Sequence, residues 1–412
     1  MNGNDNFWKL NRRRLLGLTS TVSLASLLPR TSFAGSDLIA ASLSETTSTD
    51  RRLVRLPEKA SLIQLADRPP QLETPLHYFR QDLTPNEAFF VRWHLSGYPT
   101  YVDTRTFRLR LDGQVARPQA FSLQDLVNEF EPVTLVAMNQ CSGNGRSFFT
   151  GPTPAGLQWQ FGGMGNAQWT GVRLKDLLDR AGAKAGAVEV AFSGLDESPM
   201  PGLPKIVKSL KFDHANAGDV MVAYAMNGAA LPMLNGFPLR LVVPGWYATY
   251  WIKSLAHIEV LDTRLSNIWM DEAYRIPDNP EITEEPGKLA PRTVPINRFA
   301  THSIFVRPEP EEALLANHPY MLEGLANDGG DGIARVEVSV DGGRSWTDAQ
   351  LDPEIGRFSW RRWRLPWTPT QKGRYTLKVR ATNRAGEGQL TSQWNRGGLA
   401  RRVIEHTTGM VI

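Results

Sequence analysis

The sequence predicts an α+β domain followed by an all-β sandwich. Amphipathic helical patterns intermingle with short apolar runs through the first two thirds of the chain, without the regular spacing of a doubly wound sheet. A proline-rich polar stretch, 277–308, then interrupts the text, and beyond it the apolar period falls to two.

The N-terminus has its own character. Arg12, Arg13 and Arg14 precede the apolar stretch Leu15 to Leu28, and Ser32-Phe33-Ala34 offers small residues where a signal peptidase reads. At fourteen residues the stretch is too short to span a bilayer comfortably. Residues 1–34 are therefore expected to be a twin-arginine export signal that places the protein in the periplasm. Such signals carry folded proteins, which suits a chain whose cofactor is inserted before export. These residues hold five basic side chains against one acidic, so the whole formal charge of +4 resides there. The remainder is close to neutral, which removes any global case for nucleic-acid binding. No later apolar run is long enough to cross a membrane.

Ser122 and Asp125 open the first helix with a capping-box pattern, and Leu123, Leu126, Val127 and Phe130 give it one apolar face. Val133 to Met138 is an apolar run of strand length. Leu174, Leu177, Leu178 and Ala181 mark a second helix, closed by Gly182. Runs at 188–192, 220–226 and 239–243 read as strands, and Asn227-Gly228 turns the chain after the second. No Gly-rich dinucleotide fingerprint follows any of them. In the last part Val336, Val338 and Val340 alternate with polar residues up to the turn Asp341-Gly342-Gly343. Tyr375, Leu377, Val379 and Ala381 alternate again. The expected organisation is a signal over 1–34, a mixed domain over 35–290 and a sandwich over 291–412, with the 277–308 stretch as linker. Trp346, Trp360 and Trp363 are candidates for a self-association surface on the sandwich.

Cys141 is the only cysteine in 412 residues. It excludes an internal disulfide and any Cys-rich zinc or iron–sulfur site, and no C-x-x-C-H haem site exists. An inert buried thiol and a single reactive or metal-ligating thiolate remain. Its setting, just past a predicted strand and inside the small, polar run Asn139-Gln140-Cys141-Ser142-Gly143-Asn144-Gly145-Arg146, is that of a binding loop on a rigid support.

Seven segments carry a resemblance: FFVRWHL (89–95), QCSGNGRS (140–147), GLQWQFGGMGNAQWTGVRLKDLL (156–178), AYAMNGAALP (223–232), GFPLRLVVPGWYATYWIK (236–253), VEVSVDGGRSW (336–346) and WNRGG (394–398). In this order they resemble the sulfite oxidase family of molybdenum enzymes, in its exported bacterial form, sulfite dehydrogenase. The resemblance implies a molybdopterin-binding domain followed by an immunoglobulin-like domain that often dimerises. It implies that Cys141 ligates molybdenum beside a pterin dithiolene, a soft sulfur donor for a metal that favours one. It places Arg92 at the substrate oxyanion, His94 near the cofactor, Arg146 as a second anion-binding arginine and Trp169 in the pocket. Tyr274 falls where the family keeps an active-site tyrosine, with Tyr247 and Tyr250 nearby in sequence. Arg240 and Lys253 match residues that hold the pterin's phosphate end, and Asn144 and Ser147 are candidates for neutral contacts.

The implied activity is oxidation of sulfite to sulfate, with electrons leaving to an external acceptor such as a c-type cytochrome, either a separate protein or a subunit. The chain departs from the family pattern at Gly145, where animal members carry an arginine, and at Arg396, which stands one position early after its Trp-Asn pair. The alternatives are a sulfane-sulfur dehydrogenase subunit, a related sulfoxide reductase whose branch lacks the sandwich, and a cofactor-free periplasmic binding protein.

Overall fold

The computed structural model describes residues 51–412. The expected export signal lies outside them.

The first helix forms over Leu123–Asn128 with both halves of the capping box: the Asp125 N–H donates to Ser122 Oγ at 3.1 Å, and the Ser122 N–H donates to the Asp125 carboxylate at 2.7 Å. The second, Leu174–Ala181, ends at Gly182 in the left-handed region, at φ 69°. Its residues Leu174, Leu177, Leu178 and Ala181 are all fully buried. These are short helices in a domain built mostly of sheet, so the expected α+β mixture is met with less helix than the amphipathic patterns suggested.

Two five-stranded sheets organise this domain. One runs Val207–Lys211, Glu189–Gly194, Leu255–Leu261, Leu109–Gly113, Gln119–Phe121, with the Leu255–Leu261 and Leu109–Gly113 strands parallel. The other places Met221–Met226 beside Met164–Arg173, which in turn pairs antiparallel with every residue of Val133–Gln140. Arg240–Val242 pairs with the far side of Met221–Met226. The strand that leads to Cys141 is thus anchored along its whole length. A smaller four-stranded sheet at the N-terminal side ends in Val91–Arg92.

The proline-rich stretch is not a free linker. Arg275–Pro277 pairs with Thr293–Pro295. Ile296 and Phe299 are buried in a core shared by Met138, Phe161 and Met164 of the first domain and by Ile304, Val306, Leu325 and Trp360 of the second. Proline here fixes extended backbone against two neighbours.

The last domain is a two-sheet sandwich. One sheet orders His302–Arg307, Tyr320–Asn327, Arg361–Trp367 and Gln350–Leu351. The other orders Glu312–Leu314, Glu405–Val411, Gly373–Asn383, Ile333–Ser339 and Thr347–Asp348. Phe305, Leu322 and Trp363 from the first sheet meet Val336, Val338, Leu377 and Val379 from the second in one core. Trp360 and Trp363 are therefore interior, at 2% and 0% exposure, and supply no surface. Trp346 lies under the Arg380 guanidinium, 4.3 Å from its ring centroid. Among the described residues no helix is long and apolar enough to cross a membrane.

Candidate active site

Cys141 sits one residue beyond the end of its strand, where its N–H still donates to Gly163 O at 2.8 Å. The chain then tightens through successive turns, Asn144 N–H to Cys141 O and Arg146 N–H to Gly143 O, both 3.0 Å. The cysteine is buried at 8% exposure and opens onto a cavity lined by Arg92, His94, Asn139, Ser142, Arg240, Thr249, Lys253 and Tyr274, with Phe90, Leu234, Asn235 and Ala248. The structure thus brings the expected Arg92, His94, Cys141, Arg240, Lys253 and Tyr274 to one place from segments more than 180 positions apart.

Arg92 and His94 share a face because the chain is extended there. Val91, Trp93 and Leu95 alternate inward while Arg92 and His94 stay half-buried. The Arg92 guanidinium donates to Tyr274 Oη at 3.1 Å, and Tyr274 Oη lies 2.6 Å from His94 Nε2. Tyr274 reaches this position with φ 56°, the left-handed region that an aromatic residue rarely adopts. Tyr247 and Tyr250 are core residues at 1% and 2% exposure, which leaves Tyr274 as the cavity's phenol.

On the opposite wall, Arg240 donates to Asn235 O at 2.9 Å and Asn139 Oδ1 at 3.1 Å. Lys253 Nζ donates to Arg92 O at 2.6 Å and lies 4.4 Å from the Trp93 ring centroid. Trp169, expected in the pocket, is not a lining residue. It is 0% exposed on the central strand of its sheet, and its indole N–H donates to Ala137 O at 3.0 Å. With Trp251 it forms the aromatic floor under Arg240, the guanidinium lying 5.3 Å and 5.7 Å from the two centroids. Both faces of that strand are buried, so its tryptophan had core on either side.

Arg146 also departs from its expected orientation. Its Nε donates to Gly397 O and one terminal nitrogen to Leu157 O, at 3.0 and 2.9 Å, and it does not line the cavity. Glycine makes this possible: a Cβ on Gly143, Gly156 or Gly398 would lie 2.5 to 2.8 Å from its side chain. Arg146 acts on the cavity through charge, since Cys141 and Tyr274 both oppose the lowering that burial imposes on it. Arg396 turns outward and grips Glu284 through two nitrogens, holding that carboxyl down at about 2 despite the opposing effect of burial. Ser147 is exposed, and Asn144 Oδ1 accepts the Gly163 N–H at 2.9 Å.

The cavity is starved of negative charge. None of its lining residues is acidic. Burial, and then Arg92, Lys253 and Lys208, holds His94 well below its usual value, so the ring is neutral and Nε2 is free to accept the phenol's proton. Burial and Arg240 bring Lys253 to about 7, and burial alone brings Arg240 to about 9. An anion in the cavity would oppose these shifts.

The walls also carry orphaned groups: Asn139 Nδ2, Ser142 Oγ, Arg240 Nε and Thr249 Oγ1 are buried without a protein partner. Each such group costs stability unless something polar completes it. A thiol, three cationic side chains and a set of unpaired polar groups fit an anionic, heteroatom-rich group with a soft metal, which is the chemistry of a molybdenum–pterin phosphate. Asn139, Asn235 and Thr249 escaped sequence reasoning, because nothing in their local text separates them from ordinary polar core residues.

These features fit a protein that holds an anionic metal–pterin group. The oxidoreductase molybdopterin-binding domain matches residues 95–269, and the Mo-co oxidoreductase dimerisation domain matches residues 293–400. Arg92, His94 and Tyr274 fall just outside the first of these. Sulfite oxidase of Gallus gallus is 34% identical over 303 residues, 71% of this chain and 64% of that one. Mitochondrial sulfite oxidase of Homo sapiens is 33% identical over 76% of this chain and 57% of its own. An NADH nitrate reductase of Cichorium intybus is 33% identical over 71% of this chain and 34% of its own. The sulfane dehydrogenase SoxCD structure from Paracoccus pantotrophus superposes with a TM-score of 0.72 at 25% identity, covering 86% of this chain and 87% of that chain. The chain spans a little over half the length of most sulfite oxidases it matches. It belongs to the sulfite oxidase family of molybdopterin enzymes.

Proposed function

We propose that this protein oxidises sulfite to sulfate at a molybdenum–pterin centre held by Cys141 and passes the electrons to an external acceptor such as a c-type cytochrome. The observation that carries the reading is the single cavity in which the only thiol faces Arg92, Lys253 and Arg240 with no acidic side chain on its walls. When bound, the cofactor supplies oxygen-atom transfer and the two-electron redox change. Arg240, with Asn139 and Thr249, would hold its anionic end. Arg92 offers a guanidinium to an oxyanion at the mouth. The net reaction consumes water and releases two protons, and the Tyr274–His94 pair provides a route for one: the phenol proton moves to Nε2 as Tyr274 takes another from the cavity.

A second reading has a specific support, the likeness of nearly the whole chain to SoxCD. In that case the substrate is a sulfane sulfur and the partner a second subunit. The nitrate reductase relatives add nitrate as a third anion to be assayed. Purified protein is to be tested with sulfite and with sulfane sulfur against ferricyanide or cytochrome c, and with nitrate against a reduced dye, with molybdenum measured on the same sample. Sulfite-dependent reduction exceeding the others by tenfold supports the proposal. Full molybdenum content with no sulfite turnover overturns it. Absence of molybdenum would favour the binding-protein alternative.

Arg92→Gln is expected to raise the sulfite KM by roughly ten- to a hundredfold, the loss of a charge-assisted contact of about 1.5–3 kcal/mol, without changing molybdenum content. A change in kcat/KM below twofold would place the anion elsewhere.

The dimerisation domain supports a homodimer or a pairing with a cytochrome subunit, which light scattering distinguishes. Export through the twin-arginine route to the periplasm is part of the same proposal. Replacing Arg12 and Arg13 by lysine is expected to retain the precursor in the cytoplasm, and undiminished periplasmic activity would reject that route.

A further inference from the structure

Lys208 is the most deeply buried cation near the cavity that the proposed chemistry leaves unused. It lies on the strand Val207–Lys211 at 1% exposure and does not line the cavity. Its ammonium donates to Trp269 O at 2.5 Å, and it stands 4.8 Å from the Tyr250 ring centroid and 5.8 Å from that of Tyr274. Asp271, the acid that acts on it, is itself engaged by Arg264 and Ser266. Lysine is rarely buried without a partner. A buried ammonium against two phenol rings and one carbonyl therefore calls for a reason.

The carbonyl it grips begins the turn that delivers Tyr274. Ile268–Asp271 forms a single helical turn, and Arg275 ties the next carbonyl, Met270 O, at 3.1 Å. From these two adjacent carbonyls the chain runs on to Tyr274 at φ 56°. The Trp269 ring, on the residue Lys208 holds, packs edge-on to His94 at 5.7 Å. Lys208 thus touches the element that carries Tyr274 and the ring that flanks His94. Its charge also acts on His94, together with Arg92 and Lys253.

We propose that Lys208 is a positioning residue for the Tyr274–His94 pair. Its hydrogen bond to Trp269 O and its place against the Tyr274 ring hold the Trp269–Tyr274 turn, and with it the phenol, within reach of His94 Nε2. Burial brings Lys208 itself to about 7, and in its protonated form it adds to burial, Arg92 and Lys253 in disfavouring an imidazolium at His94. The direction of the hydrogen bond between Tyr274 Oη and Nε2 decides what the cavity presents. With a neutral imidazole, Tyr274 Oη donates a hydrogen bond to Nε2, accepts one from Arg92 and keeps a lone pair for a donor in the cavity. With an imidazolium, Nε2 would donate to Oη, and the route from the cavity to His94 would be closed. The role rests on the proposed oxidase chemistry, but the geometry it acts through does not depend on which anion is the substrate.

The test uses the molybdenum-loaded protein and three variants. Lys208→Gln keeps a donor toward Trp269 O without the charge, Lys208→Met removes both, and Lys208→Arg keeps the charge. The readouts are the His94 titration midpoint, followed by NMR of histidine-labelled protein and assigned with His94→Asn, and steady-state kinetics across pH. In the Gln and Met variants the midpoint is expected to rise by about half a pH unit or more, as one cation leaves its surroundings. Their kcat should fall about tenfold with KM within about twofold, while the Arg variant keeps the midpoint and most of kcat. A midpoint that does not move in the Gln variant overturns the proposal. So does an equal loss of kcat in the Gln and Arg variants with an unchanged midpoint, which is the signature of a merely structural lysine. If the parent turns over no sulfite yet the midpoint shifts as stated, the substrate reading fails and the role of Lys208 stands.

Discussion

Cys141→Ser is expected to abolish turnover while leaving the fold in place. The backbone bond to Gly163 O that fixes this position is independent of the side chain, and a hydroxyl replaces a thiol of similar shape. The new hydroxyl faces a cavity with polar lining, so the stability change should stay within about 1–3 kcal/mol, the cost of a buried polar group without a full partner. The chemistry does not survive the exchange. A serine hydroxyl is a harder and far less acidic donor than a thiol, so on the proposed ligation a metal that selects soft sulfur would lose its cysteine. Residues that merely support a ligand cost about 10- to 100-fold when removed, so losing the ligand itself should cost more. Turnover, molybdenum content and a thermal melt on the same preparation check this. Turnover near the parent level would remove Cys141 from the metal.

Arg240→Met is expected to separate two properties that usually fall together. The guanidinium is 4% exposed, carries no carboxylate partner among its contacts and leaves Nε unpaired. Burying such a cation destabilises the empty fold. Methionine relieves that cost and keeps contact with Trp169 and Trp251, at the loss of the bonds to Asn235 and Asn139. The melting temperature of cofactor-free protein should therefore shift by only a few degrees in either direction. Cofactor retention should fall about ten- to a hundredfold, since charge-assisted contacts to the anionic end disappear. Released pterin, measured by fluorescence, and melting of the cofactor-free form give the two numbers. Undiminished pterin would assign the anionic end to other residues.

Much of this was legible in the chain because it depended on short-range patterns. The run Val133 to Met138 reads as a strand from six residues, and the capping box of Ser122 and Asp125 from four. Arg92 and His94 come as a pair only from the resemblance, since alone their text fits a solvated arginine and a satisfied histidine; the extended backbone around them puts both on one face. Trp169 misled for a physical reason: on a strand buried on both faces, text alone does not say which face holds the cavity. Arg146 misled because its direction is set by carbonyls at Leu157 and Gly397, the latter 251 positions away. Asn235 and Lys208 were invisible for the same cause. Asn235 Oδ1 accepts a hydrogen bond from Lys59, 176 positions distant, and Lys208 meets Trp269 across 61. The proline-rich stretch read as a linker because proline marks extended backbone whether or not that backbone is packed.

The clamp between Arg146 and Gly397 has a consequence for heredity as well as for chemistry. Ala400 N–H also donates to Ser142 O at 3.0 Å, and Arg401, paired with Glu405, donates to Phe148 O at 2.8 Å. Residues 142–148, which follow Cys141, are thus held by the loop 397–401 of the other domain. The catalytic half is not a portable module. A fusion or recombination that exchanged the C-terminal domain at the proline-rich stretch would have to import a loop of the same length and carbonyl placement. Otherwise the arginine beside Cys141 would lose one of its two anchors, and the sandwich and the redox domain are bound to diverge together.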